Sequence, residues 1–74
     1  MTDFQLIIKN ELSNIDLVND QFTAFAHGKD VPKNVVNAVC MVFDDMLTNI
    51  ITYAYQDDGQ HDISIQVLLK RDYN

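Results

Sequence analysis

A glycine-free stretch from Pro32 to Tyr55 constrains this chain more than any other feature. Within it, Val35, Val36, Val39, Cys40, Val42, Phe43, Met46, Leu47, Ile50, Ile51 and Ala54 recur at helical spacing and leave a wide apolar face. Pro32 suits the first turn, where no backbone donor is required of it. A helix over 32–55 would be roughly 35 Å long at 1.5 Å per residue. Its β-branched residues lower intrinsic helix propensity, so packing must hold it in place. A helix this apolar is expected to be largely buried.

The rest of the chain has to supply that cover. In the stretch Phe4-Gln5-Leu6-Ile7-Ile8-Lys9 the apolar residues Phe4, Leu6 and Ile8 alternate, the period of a strand over 3–10 with one buried face. Ser13 is placed as an N-cap with Asp16 three residues on. Ile15, Val18, Phe22 and Phe25 follow at helical spacing, and Gly28 stands where a helix over 13–27 would stop. His27 falls in its last turn, where a cation complements the helix dipole. After an acidic turn at Gln56-Asp57-Asp58-Gly59-Gln60, the residues Ile63, Ile65, Val67 and Leu69 alternate with mostly polar ones and predict a second strand over 61–71. The order is β-α-α-β, an α+β unit of one domain. Two strands are too few for an independently stable sheet, and 74 residues bury only about 60% of the surface that the unfolded chain exposes. The unit is expected to be completed by further strands or by a second copy.

Charge and cysteine content narrow the classes of function. Eleven acidic against five basic residues give a net charge of −6, which opposes a phosphate backbone and excludes nucleic acid as a partner. A small phosphorylated ligand bridged by a divalent cation stays compatible with that sign, as does a basic protein segment. Cys40 is the single cysteine, so no disulfide forms within the chain and a reducing compartment is expected. Residues 1–10 lack a signal-peptide pattern, and no uninterrupted apolar run approaches the roughly 18–20 residues that span a bilayer. The expectation is a cytoplasmic protein with no membrane segment.

One polar pair stands out on the long helix. In Asp44-Asp45-Met46-Leu47-Thr48-Asn49, Asp45 and Asn49 are four apart and share a face. A carboxylate and an amide oxygen are hard ligands that suit Mg²⁺, with water and phosphate filling its other positions. The carboxylate has a second use, orienting or deprotonating a nucleophile beside a metal-held phosphate. On spacing alone, ordinary helix surface is the commoner origin of such a pair. The other candidates reduce to structure. Cys40 reads as a buried inert thiol, and His61 has no second His or Cys at ligand spacing for zinc. Asp57-Asp58-Gly59 lacks the spaced oxygens of a calcium loop. Tyr53 and Tyr55 read as half-exposed residues at a helix end.

The segment from Phe43 to Tyr55 resembles the N-box of Bergerat-fold ATPases, and in particular its form in anti-sigma-factor serine-protein kinases. There the helix reads approximately Asp-Glu-Ala-x-Thr-Asn-x-x-x-His-Ala-Tyr, followed by an acidic glycine-containing turn and a strand. Asp44, Thr48, Asn49, Ala54 and Tyr55 fit that pattern, and the order of elements over the whole chain fits as well. The resemblance implies the β-α-α-β portion of a Bergerat-type two-layer sandwich, completed by dimerisation or by further C-terminal strands. It implies ATP and Mg²⁺ as cofactors, with Asn49 holding the metal and nucleotide, Asp45 as general base toward a serine hydroxyl, and Tyr53 at the cofactor edge. It implies a sigma factor and an anti-anti-sigma protein as partners, and a homodimer. Asp45 stands where the family has glutamate, one methylene longer, and a misplacement of about 1 Å can cost on the order of a hundredfold in rate. Tyr53 replaces the usual histidine. The adenine-holding Asp-x-Gly-x-Gly segment and the Gly-rich lid have no counterpart in these residues, so this stretch alone is expected to bind ATP weakly and to lack kinase activity. The alternative is a non-catalytic interaction or dimerisation module on the same scaffold.

Overall fold

The computed structural model describes residues 3–54 and 59–70. Strand β1 (Phe4–Lys9) leads into helix α1 (Asn14–Gly28), then helix α2 (Lys33–Asn49) with a π-helical continuation (Ile50–Ala54), then strand β2 (Asp62–Val67). The chain is thus α+β in the expected order. The strands pair antiparallel, with Phe4 opposite Val67, Leu6 opposite Ile65 and Ile8 opposite Ile63. This register puts the alternating apolar residues of both strands on one face, because side chains alternate with a period of two. Lys9 opposite Asp62 closes the ladder with an ion pair of 2.6 Å between exposed side chains. Beyond it, Asn10 clasps the entry to β2: its Nδ2 donates to Gly59 O (3.2 Å) and its Oδ1 accepts from His61 N (2.8 Å).

Phe22 is the hub of the core. Its ring is 1% exposed and meets Phe4 of β1 edge-on at 5.5 Å and Phe43 of α2 edge-on at 5.4 Å. Edge-to-face pairs of this kind add about 0.5–1.5 kcal/mol each beyond the area they bury. Ile15, Val18 and Ala26 complete the buried stripe of α1, while Phe25, expected in that stripe, is half-buried beside Phe4. The stripe therefore runs 15, 18, 22, 26, and α1 packs against β1 on one side and α2 on the other.

Both ends of α1 depart from the sequence expectation. Ser13 makes no side-chain cap and already has helical dihedrals. The entry is instead a turn in which Asn14 N donates to Glu11 O, Ile15 N to Leu12 O, and the Asn14 side chain to Lys9 O. At the other end Gly28 is the last helical residue rather than the left-handed one. That role falls to Asp30, with φ of 57°. Asp30 N donates to His27 O and Val31 N to Ala26 O, the two reverse bonds of a Schellman motif, and Val31 packs down onto the core. The short polar side chain of aspartate tolerates this conformation better than most.

The larger correction concerns α2. Only Val36 and Leu47 are buried along it, with Val39, Cys40 and Phe43 half-buried. Val35, Met41, Val42 and Met46 are exposed, the last two by 50% and 56%. The apolar arc is as wide as the sequence indicates, but among the described residues α2 approaches α1 and its own continuation and no strand. One flank is therefore covered and the other is open. The regular helix also ends at Asn49 rather than Tyr55, because Ile50–Ala54 widen to a π-turn. Strand β2 is shorter than 61–71, and Tyr55, the residues 56–58 of the acidic turn, and Arg71 lie outside the described residues.

By length and mean hydropathy (1.4), Lys33–Tyr53 is a 21-residue helix able to cross a membrane, and 11% of its most apolar window is buried. That exceeds the expectation drawn from uninterrupted runs, because an average tolerates Asp44 and Asp45. Those two carboxylates sit near its midpoint, where each costs about 2.5–3.5 kcal/mol in a bilayer.

Candidate functional site

The outer side of α2 carries the polar pair. Asp45 and Asn49 are both exposed, and four residues of regular helix bring them to the same open face about 6 Å apart in height. The neighbouring carboxylate has a different fate. Asp44 turns toward α1, where its Oδ1 accepts from Asn19 Nδ2 at 2.9 Å. That bond leaves Asn19 Oδ1 buried and without a partner among the described residues. Asp44 thus anchors the two helices, and Asp45 stays available. The aspartate–asparagine bond across 25 positions is a contact that no local pattern announces.

The π-turn begins one residue after Asn49. Such turns are rare and recur at functional sites, because the extra residue re-aims the side chains that follow. Here it carries Tyr53, which is 76% exposed and points away from the core. Asp45, Asn49 and Tyr53 therefore form an open surface. Three clefts among the described residues lie elsewhere, lined by Lys29, Val31, Pro32 and Lys70 at the connector, by Thr23, His27, Lys33 and Asn37 between the helices, and by Val35, Ala38, Val39 and Val42 along α2.

As a donor set, one carboxylate and one amide oxygen fit Mg²⁺ that retains water and phosphate ligands. No group of three or more His, Cys, Asp or Glu gathers among the described residues, so a metal caged wholly by protein is not the geometry on offer. Cys40 is half-buried rather than buried, and its Sγ lies 3.8 Å from Thr23 Oγ1 at the helix–helix contact. His27 is exposed at the end of α1, as its place in the sequence suggests. His61 is tied through its backbone to Asn10, which places it in the strand clasp and not in the polar pair.

No protein family, curated protein or solved structure matches the chain.

Proposed function

We propose that this chain is the N-terminal part of an ATP-dependent anti-sigma-factor serine kinase and forms the phosphate-facing wall of its nucleotide site. The observation that carries the reading is the open placement of Asp45 and Asn49, one turn apart and directly before the π-turn. The opposite flank of the same helix is anchored by Phe43 on Phe22, so the pair stands on a fixed support. In this reading Asn49 offers its amide oxygen to the Mg²⁺ of Mg-ATP, and Tyr53 borders the nucleotide. The metal, when bound, supplies charge neutralisation between the phosphates. Asp45 orients the serine hydroxyl of an anti-anti-sigma protein and accepts its proton. A sigma factor is the second partner, and the setting is the cytoplasm. The Bergerat-type sandwich is completed by a second copy or by further C-terminal strands, which also bring the adenine-holding segment that these residues lack.

The experiment is a titration of the isotope-labelled chain with Mg-ATP to about 10 mM, followed by amide shifts, because millimolar affinity is worth only about 4 kcal/mol. Shifts should cluster at residues 45–53 and vanish in Asn49→Ala. Shifts centred on the Lys29–Lys70 cleft, or none, would remove the nucleotide reading. A second reading, a non-catalytic interaction module on this scaffold, is favoured by a separate observation: the exposed apolar flank of α2.

A further inference from the structure

Where α1 and α2 part at the connector they leave a cleft of about 270 Å³, bordered by Thr23, His27, Val31, Lys33, Val36 and Asn37. Its polar side chains form two rungs. Thr23 and His27 stand four apart on α1, and Lys33 and Asn37 four apart on α2, so each pair projects from one face of its helix. The helices run in opposite directions past each other, since Asn19 meets Asp44 and Thr23 meets Cys40. That sense sets His27 across from Lys33 at the connector end, and Thr23 across from Asn37 one turn further along. The rest of the border is apolar: Val31, packed onto the core, and Val36, buried within it.

We propose that this cleft holds a small aliphatic carboxylate, its oxygens on Lys33, His27, Thr23 and Asn37 and its hydrocarbon on Val31 and Val36. The site is separate from Asp45 and Asn49. Asp45 lies eight residues beyond Asn37, about 12 Å along the helix.

Charge selects an anion. The chain carries −6 overall, yet no carboxylate borders this cleft. Lys33 is exposed, and the one ion pair among the described residues is Lys9 with Asp62. The next acid back along α1 from the cleft is Asp20, seven residues or about 10 Å from His27, a full Debye length away. The neighbouring cleft at the connector has Lys29 and Lys70 but also Asp30, which offsets part of their field. All four polar groups here can donate: an ammonium, an imidazole N–H, a hydroxyl and an amide NH₂. The two oxygens of a carboxylate accept about four such bonds.

Size and the apolar border select the rest. The volume lies below the roughly 300–1,000 Å³ of ordinary ligand pockets. It holds about nine waters at roughly 30 Å³ each, which suits an acid of about three to five carbons and falls short of a nucleotide. Inorganic phosphate reaches the same donors but leaves both valines wet.

The test is a titration of the isotope-labelled chain with sodium butyrate to about 100 mM at constant ionic strength, followed by amide and methyl shifts. Saturating shifts should cluster at residues 23–37, include the methyls of Val31 and Val36, and leave 45–53 unmoved. 1-Butanol, which lacks the charge, and inorganic phosphate, which lacks the hydrocarbon, should give no saturable shift over the same range. Lys33→Glu should abolish the butyrate shifts with an unchanged circular dichroism spectrum, since an acid in the first turn suits the helix dipole. Asn37→Ala should weaken binding about two- to tenfold, the scale of one hydrogen bond. Butyrate shifts that persist in Lys33→Glu, that rise without saturating, or that centre on the Lys29–Lys70 cleft overturn the site. Equal saturable shifts with phosphate or 1-butanol overturn the carboxylate assignment. Asn49→Ala should bind butyrate as the parent chain does, so loss of this site and loss of the nucleotide site are read separately.

Discussion

The C-terminal end of α1 offers a test in which sequence and structure disagree about sign. If Gly28 held the left-handed position that its place in the sequence suggests, replacing it by alanine would cost about 1 kcal/mol or more. The structure gives Gly28 a helical place with a negative φ, and a Cβ added there meets nothing within 4 Å. Alanine at a helical position gains roughly 0.5–1 kcal/mol over glycine, since it loses less backbone freedom on folding. The strain sits at Asp30, with φ of 57°, so Asp30→Gly should add about 0.5–1 kcal/mol. The Schellman bonds donate from the backbone of Asp30 and Val31 and survive both changes. In a domain of this length 1 kcal/mol moves Tm by about 4–8 °C. Each variant should therefore raise Tm by roughly 2–8 °C in a thermal scan followed at 222 nm. A fall in Tm for Gly28→Ala would refute the assignment of the left-handed residue to Asp30.

Phe22→Ala removes the ring that joins β1, α1 and α2, and should cost about 3–5 kcal/mol. A core of this size supplies little more than that in total, so far-UV circular dichroism at 25 °C should show an unfolded chain, while Phe22→Leu stays folded with a lower midpoint in urea. At the strand clasp, Asn10→Ala loses the bonds to Gly59 and His61 and should cost about 1–2 kcal/mol by urea denaturation. Lys9→Ala one residue earlier breaks only an ion pair between side chains 52% and 62% exposed, and should change stability by less than about 0.5 kcal/mol.

The strands and α1 were legible because their partners are periodic in the sequence. Alternation at Phe4, Leu6 and Ile8 matches alternation at Ile63 and Ile65, and the pairing register sets both apolar rows on one face of the sheet. The ends of α1 were not legible, because several residues compete for each role. Ser13 and Gly28 have the right chemistry for capping, yet backbone turns at Glu11–Asn14 and Asp30–Val31 satisfy the same groups. The π-turn at Ile50–Ala54 leaves no mark in composition. A spacing of four placed Asp45 and Asn49 on one face, which the helix keeps. It said nothing of Asp44, whose partner Asn19 is supplied by the way α1 and α2 cross.

The burial of α2 was misjudged for a reason that bears on function. Periodicity reports the width of an apolar arc, and the arc's width says only that cover is needed, not which element supplies it. Around the helix, the arc pressed on α1 comes first, then the open seam of Val35, Val42 and Met46, then Asn49 and Asp45. The polar pair therefore lies on the far border of an uncovered apolar surface. Cover that surface, by a second helix or by further strands, and the carboxylate and the amide become the rim of a dry wall instead of isolated groups in water. Ligand sites are built that way, from apolar walls with a few polar groups converging at the edge. On the proposed reading, whatever covers Val35, Val42 and Met46 would therefore also wall in Asp45 and Asn49, because the apolar arc and the polar pair adjoin on one open side of α2.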